Sequence, residues 1–445
     1  MITKIEVENY RCFPRLSVDC GPYQVLAGAN GAGKSTLLDI VPLIGDLLDA
    51  HRVTEAFLQR VGSRQTPRAT TLAELPYRGT GDTIAFAIEA ELPDTVAKSI
   101  AEASLSRPLP THLRYELLLE VNPYELSVAE EYLFLFPGPG GSRTDNAITL
   151  AAGEPSDNAA NRELIPLGRP VDIDRVLQSP DWQSVISRQG RGPTRFTVEA
   201  TASGTELPPL AVPTSRLALG SVPLDPTLFP AALWFAELLR SETVFYDPTW
   251  ADLRRPAPPG DPARLLASGR NTPWLALRLQ QTDRDRFDSW VDHVRTALPQ
   301  VTHIEPRERA DDRYAYLAVE YSSGYQVTSS GLSDGTLRIL ALTLLPYLPQ
   351  GAAPSLLVTE EPENGIHPRA IETVTQSLSS IYESQVWVST HSPMVLAQTE
   401  LQHMLATRLE ADGSASVVPG PQHPKLRDWQ GSLDLGTLFA AGVLN

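Results

Sequence analysis

The chain has 445 residues, more than a single hydrophobic core usually organises, so two or three lobes are expected. Its content, 42% hydrophobic and 20% charged, excludes a disordered polypeptide. A net charge of −16 excludes a surface that is basic throughout, although not a local basic groove.

The first segment, MITKIEVENY, lacks the long apolar core of a signal peptide, and no later run reaches the length of a membrane span, so the expected location is cytoplasmic. Residues 1–20 read as two short strands joined through Tyr10–Pro14. Cys12 and Cys20 are the only cysteines, and their spacing matches no metal or redox motif. A third strand, Gln24–Ala27, runs into Gly28-Ala29-Asn30-Gly31-Ala32-Gly33-Lys34-Ser35-Thr36 and then an apolar helix. That helix is expected to reach about Leu48, with a kink at Pro42. The pattern G-x-x-x-x-G-K-[ST] fits a phosphate-binding loop. Its glycines let successive N–H groups point at one anion, and the helix start adds its positive dipole end. Lys34 brings charge to the β- and γ-phosphates, and the Ser35 hydroxyl can ligate Mg²⁺. The chain is therefore expected to bind a nucleoside triphosphate.

Residues 51–80 read as an irregular connection. Thr83–Glu91, Leu113–Val121 and Tyr124–Phe136 alternate as an antiparallel sheet would, extending the first lobe. Residues 137–215 are rich in turn formers and read as an insertion with mobile loops. From Pro230 the pattern turns helical, followed by a strand within SETVFYDP and two amphipathic helices, Ser268–Leu279 and Asp283–Leu298. Phe287 and Trp290 have helical spacing and read as core rather than as a base-stacking platform. Residues 301–306 and 314–328 read as strands.

Three motifs follow within about sixty residues. Ser330–Thr336 precedes an apolar helix; Ser333 or Asp334 is either an ordinary N-cap or part of a second phosphate-reading surface. Leu356–Val358 reads as a buried strand ending in Glu360 and Glu361. Glu360 can hold a Mg²⁺ water, and Glu361 can polarise the water that attacks a γ-phosphate. Val386–Ser392 reads as a second buried strand, ending at Thr390-His391, where the imidazole can sense the γ-phosphate or the attacking water. The tail, 401–445, reads as a hairpin followed by an apolar stretch, Leu433–Leu444, which either packs on the core or docks a partner.

In this order the motifs resemble the ABC-type AAA-family ATPases of the RecF/SMC/OLD-like branch, found in bacterial defence and toxin–antitoxin loci. GANGAGKST is similar to Walker A, LSDGT to the signature motif, TEEPENGIHP to Walker B with its D-loop, and STHSP to the switch-histidine segment. IEVENYRCF also resembles that branch, which makes Arg11 a candidate nucleotide contact. The resemblance implies an α/β P-loop ATPase head, a mixed sheet with an antiparallel β lobe, interrupted by a large α+β insertion. Its expected parts are 1–50 and 321–400 for the ATPase core, 51–215 and 216–320 for the insertion, and 401–445 for the tail. It further implies ATP and Mg²⁺ as cofactors, with Arg11, Asn30, Gly31, Ala32, Gly33, Lys34, Ser35 and Thr36 on the nucleotide. Ser35 and Glu360 would serve the metal, and Lys34, Glu361 and His391 would serve catalysis. Ser333, Asp334 and Gly335 would act in trans across an ATP-sandwich homodimer.

The sequence departs from the family at Glu360, where Asp is usual, and at Asp334 and Thr336, which point away from transporters. No acidic nuclease cluster follows His391, so a separate effector, a nuclease or toxin, is the expected partner. The alternative is a RecF-like DNA-binding ATPase, for which clusters such as Arg60/Arg64/Arg68 and Arg307/Arg309/Arg313 are the candidates.

Overall fold

The computed structural model describes residues 1–60, 66–103, 109–138, 182–200, 205–426 and 434–443. Most of the turn-rich stretch expected to form mobile loops, together with Arg64, Leu433 and Leu444, lies outside them. The strands in chain order are β1 (Ile2–Tyr10), β2 (Phe13–Asp19), β3 (Tyr23–Gly28), β4 (Thr83–Glu91), β5 (His112–Val121), β6 (Leu126–Phe136), β7 (Gln183–Gln189), β8 (Arg195–Phe196), β9 (Thr243–Phe245), β10 (Val301–Glu308), β11 (Ala315–Tyr321), β12 (Gln326–Thr328), β13 (Leu356–Glu360), β14 (Gln385–Thr390), β15 (Met404–Leu409) and β16 (Ala415–Pro419). They are divided between two compact units interleaved along the chain. One unit comprises 1–21, 40–240 and 410–417; the other comprises 22–39, 241–409 and 418–445.

The first unit is built on an antiparallel sheet in the order β2-β1-β4-β5-β6-β7-β8. The expected extension of the N-terminal strands by the alternating segments is thus a single sheet. Strict alternation carries Ile5, Val7, Ile84, Phe86, Ile88, Leu113, Tyr115 and Leu117 into the core. The same period aligns Glu6, Glu89, Arg114 and Glu116 on the other face. There the buried Arg114 guanidinium donates to all three carboxylates, at 2.6, 2.8 and 2.5 Å respectively. Two further acids are buried as caps. Glu199 accepts from the N–H groups of Ala231 and Ala232 (2.6 and 2.8 Å), at the start of the helix Pro230–Arg240. Glu131 accepts from Ala218 N–H, Leu219 N–H and the Tyr115 hydroxyl.

The second unit carries a parallel sheet. Its strands lie in the order β15-β3-β14-β13-β9, each parallel to its neighbour. Val25, Leu26, Leu356–Val358 and Val386–Val388 are almost completely buried, as strands covered on both faces require. The helices Thr272–Thr282, Arg284–Ala297, Asp334–Leu344 and Pro368–Ser379 share one core. Phe287 and Trp290 belong to that core, edge to face at 5.5 Å, and the Trp290 Nε1–H donates to Thr343 Oγ1.

Three local expectations need correction. The helix after the phosphate loop is not continuous: Lys34–Leu38 and Ile40–Asp49 are separated at Asp39. Pro42 has no N–H to offer the carbonyl of Leu38, so the break falls three residues before the proline. Residues 314–328 form two strands, because Ser322-Ser323-Gly324 turns the chain, with Gly324 at φ 78°. Thr272–Thr282 starts later than the expected Ser268, since Gly269 (φ 71°) and Asn271 form the turn that precedes Pro273. The terminal helix is short, Leu435–Ala440.

Candidate nucleotide site

The site grows from the register of the parallel sheet. Ala27 of β3 pairs with Thr390 of β14, and Ser389 pairs with Glu360 of β13. The carboxyl ends of the three strands therefore finish side by side, where ligands of α/β sheets bind. The phosphate loop leaves β3 there. Gly31 and Gly33 have φ of 79° and 89°, a left-handed conformation that turns successive N–H groups inward at low cost only for glycine. No side chain caps Gly33 at the start of Lys34–Leu38. Ala29, Asn30, Gly31 and Ser35 are exposed, whereas Ala32, Gly33 and Lys34 are buried.

The Lys34 ammonium donates to the carbonyls of Gly28 and Ala29, at 2.8 and 2.9 Å. Burial lowers its pKa, while the charges of Glu361 and Glu360 raise it. The structure thus brings Lys34 and both glutamates into one electrostatic group. Glu361 is the most constrained member. Its backbone is left-handed (φ 42°), a conformation costly for a non-glycine residue and typical of functional sites. Its N–H donates to Ser389 O at 2.9 Å, and its Oε2 accepts from Asn364 Nδ2 at 2.5 Å. Its Oε1 lies 3.3 Å from His391 Nε2. Burial and the nearby Lys34 lower the pKa of His391, and the opposing pull of Glu361 is the smallest of the three effects. The 3.3 Å contact is an ion pair only when the imidazole is protonated, which its lowered pKa disfavours.

Sequence reasoning passed over several residues here. Glu363 accepts from the Thr390 hydroxyl, and burial raises its pKa. Asn364 orients Glu361, and Arg338 from the helix Asp334–Leu344 donates to Asn364 O. The reading stopped at the paired glutamates because these contacts depend on turn geometry, which has no sequence period.

The remaining candidates have other partners. Ser333 is an N-cap: its Oγ accepts from Thr336 N–H at 3.2 Å. Asp334 pairs with Arg254 at 2.5 Å. Gly335 lies against Gly365, where a Cβ would come within 2.8 Å of the carbonyl oxygen, so glycine is needed for close packing. Arg11 belongs to the first unit, where its guanidinium donates to Arg68 O and lies over the Tyr10 ring.

A triphosphate with Mg²⁺ fits these residues. The loop mouth is open, since a Cβ on Gly31 would meet nothing within 4 Å, and the Lys34 charge sits where an anion would offset its desolvation. Mg²⁺ keeps several waters and uses few protein ligands beside phosphate oxygens, and Ser35 and Glu360 are the residues that would hold it.

Residues 222–397 match the AAA domain described as a putative AbiEii toxin of a type IV toxin–antitoxin system. An OLD nuclease of Thermus scotoductus is 34% identical over 62 residues, a match spanning 13% of this chain and 12% of that protein's length. Among solved structures, an Smc head bound to the C-winged helix domain of ScpA aligns with 94% of this chain and 97% of its own, at 12% identity and a TM-score of 0.48. The SMC head domain from Thermotoga maritima aligns with 94% of this chain and 98% of its own, at 11% identity and a TM-score of 0.40. Among the described residues no helix is long and apolar enough to cross a membrane. The AAA match includes Ser330–Thr336, Glu360–Glu361 and Thr390–His391, and the sheet register brings the last two beside the phosphate loop: over these segments the chain is similar to that AAA domain, a likeness that fits an ABC-type AAA ATPase of the RecF/SMC/OLD-like branch.

Proposed function

We propose that the chain binds ATP with Mg²⁺ at the Lys34 loop and hydrolyses it as a dimer switch that controls a separate effector. The observation that carries this reading is the fixing of Glu361, through its N–H and both carboxylate oxygens, beside Lys34 and His391. Mg²⁺, when bound, neutralises phosphate charge. Lys34 holds the β- and γ-phosphates, Glu361 accepts a proton from the attacking water, and neutral His391 reports on the γ-phosphate. Ser333 and Asp334 are exposed, which suits the approach of Ser333, Asp334 and Gly335 of the partner subunit to the γ-phosphate. Binding would close the dimer and hydrolysis would reopen it. A regulator of a nuclease or toxin on another chain, in cytoplasmic antiviral defence, is the role most consistent with an ATPase set and the acidic balance of the whole chain.

The DNA-binding alternative is less well supported. Arg307, Arg309 and Arg313 pair with Glu305, Asp312 and Glu308, and buried Arg68 pairs with Asp46. These arginines do not form an uncompensated basic patch.

The test is Glu361→Gln. The variant should keep ATP, form a stable ATP-dependent dimer by light scattering, and turn over about 10²–10⁴-fold more slowly. Equal turnover in the variant and the wild type would overturn the assignment.

A further inference from the structure

The helix Asp334–Leu344 starts at the segment expected to meet a partner's nucleotide, and just over a turn further on it carries Arg338. This guanidinium is 7% exposed, an expensive place for a charge unless it has a task. It donates to Asn364 O, lies 4.7 Å from the Trp250 ring centroid, and stands 3.7 Å from Asp247. Asn364 in turn holds Glu361 twice: its Nδ2 donates to Glu361 Oε2, and its N–H donates to Glu361 O at 3.0 Å. The same helix touches the same turn at a second point, Gly335 against Gly365 O. The first turns of this helix and the Glu361–Gly365 turn are thus locked together by one charge-assisted hydrogen bond and one backbone contact.

We infer that Arg338 is a positioning residue that couples occupancy of the Ser333–Gly335 segment to the orientation of the Glu361 carboxylate, through Asn364. A tilt of the helix on dimer closure moves Asn364 with it, and Asn364 sets where Glu361 Oε2 points. Trp250 and Asp247 hold the other side of the guanidinium, so the link transmits displacement instead of absorbing it. Arg338 touches neither nucleotide nor water in this scheme. The inference rests on Glu361 acting on the attacking water.

The experiment measures equilibrium ATP affinity, KM and kcat for the wild type, Arg338→Met, Arg338→Lys and Asn364→Ala. The expected result is kcat lowered about tenfold or more in Arg338→Met and Asn364→Ala, with ATP affinity and KM within about twofold, and partial recovery in Arg338→Lys. The Arg338→Met/Asn364→Ala double variant should be no slower than the worse single one, because both cut one chain of contacts. Asn364 is exposed, so its variant folds even if Arg338→Met does not. Unchanged kcat in Asn364→Ala, or fully additive losses, would overturn the coupling while leaving the ATPase reading intact. If the wild type shows no Glu361-dependent turnover, the ATPase reading fails. Hydrogen exchange at 361–365 then decides the coupling: nucleotide-induced protection lost in Arg338→Met supports it, and protection retained overturns it.

Discussion

Two helix starts, one in each unit, meet the same chemical need in opposite ways. Pro230–Arg240 has no polar residue at its own start, and buried Glu199 supplies acceptors for its free N–H groups from 32 positions away. The helix after the phosphate loop also lacks a side-chain cap, yet nothing from its own loop replaces one, and the mouth of that loop is exposed. One end is completed by the chain itself; the other has no side-chain cap and is where the proposed phosphate would sit. The first unit turns its buried charge inward, as in the Arg114 cluster, whereas the second gathers charge where strands end. A helix start is receptive only when the fold withholds its own acceptor.

The contrast can be tested from both sides. The largest expected effect is on the inward side: Arg114→Leu strands three carboxylates and should lower the unfolding free energy by about 3–5 kcal/mol in urea titration. A loss under 1 kcal/mol would mean that the cluster is as dispensable as a surface pair. On the receptive side, Lys34→Ala should weaken ATP binding by about 2–5 kcal/mol, roughly 30-fold to several-thousand-fold by calorimetry, while leaving the melting temperature of the apo protein unchanged or raised. A fall in that temperature would make Lys34 a structural residue.

Smaller effects depend on pH. His391 titrates below its ordinary value, so it should stay neutral through pH 7, and its protonation should depress turnover only under acidic conditions below that value. His391→Ala should lose the acid limb along with about 1.5–3 kcal/mol of transition-state stabilisation, read from pH–rate profiles. A second pH dependence, in stability rather than turnover, belongs to Glu199, whose carboxyl is pushed up to about 8 by burial, against the two N–H donors that lower it. The folded state then holds a proton that the unfolded state, near 4.5, has released. Stability contributed by this group is present below about 4.5 and falls as pH rises towards about 8, by at most about 1.4 kcal/mol per unit. Glu199→Gln should flatten that slope in denaturation curves, and an unchanged slope would return the pH dependence to other groups.

The sequence reveals the receptive side better than the inward one. The loop from Gly28 to Thr36, the run Leu356–Glu361 and the segment ending at His391 are contiguous, with an apolar strand leading into chemistry, so each can be read locally. Their meeting was inferred from resemblance and is explained by the pairing of β3, β14 and β13. The caps at Glu131 and Glu199 and the Arg114 cluster depend on pairing between distant strands, which no window of sequence displays. The role of Asn364 was missed for a different reason: a tight turn brings it back to Glu361, and an asparagine before a glycine looks like any loop residue.

The interleaving of the two units has a consequence for synthesis. β3 carries the phosphate loop and emerges from the ribosome early, but its neighbours are β14 and β15; Thr407, which hydrogen-bonds Ala27 O, lies 380 positions downstream. The central strand must therefore wait, unpaired and apolar, while nearly the whole polypeptide is made, a long-range closure that is intrinsically slow. Fragments ending before residue 404 would present β3 with one side open, so soluble expression should demand the chain at least through β15.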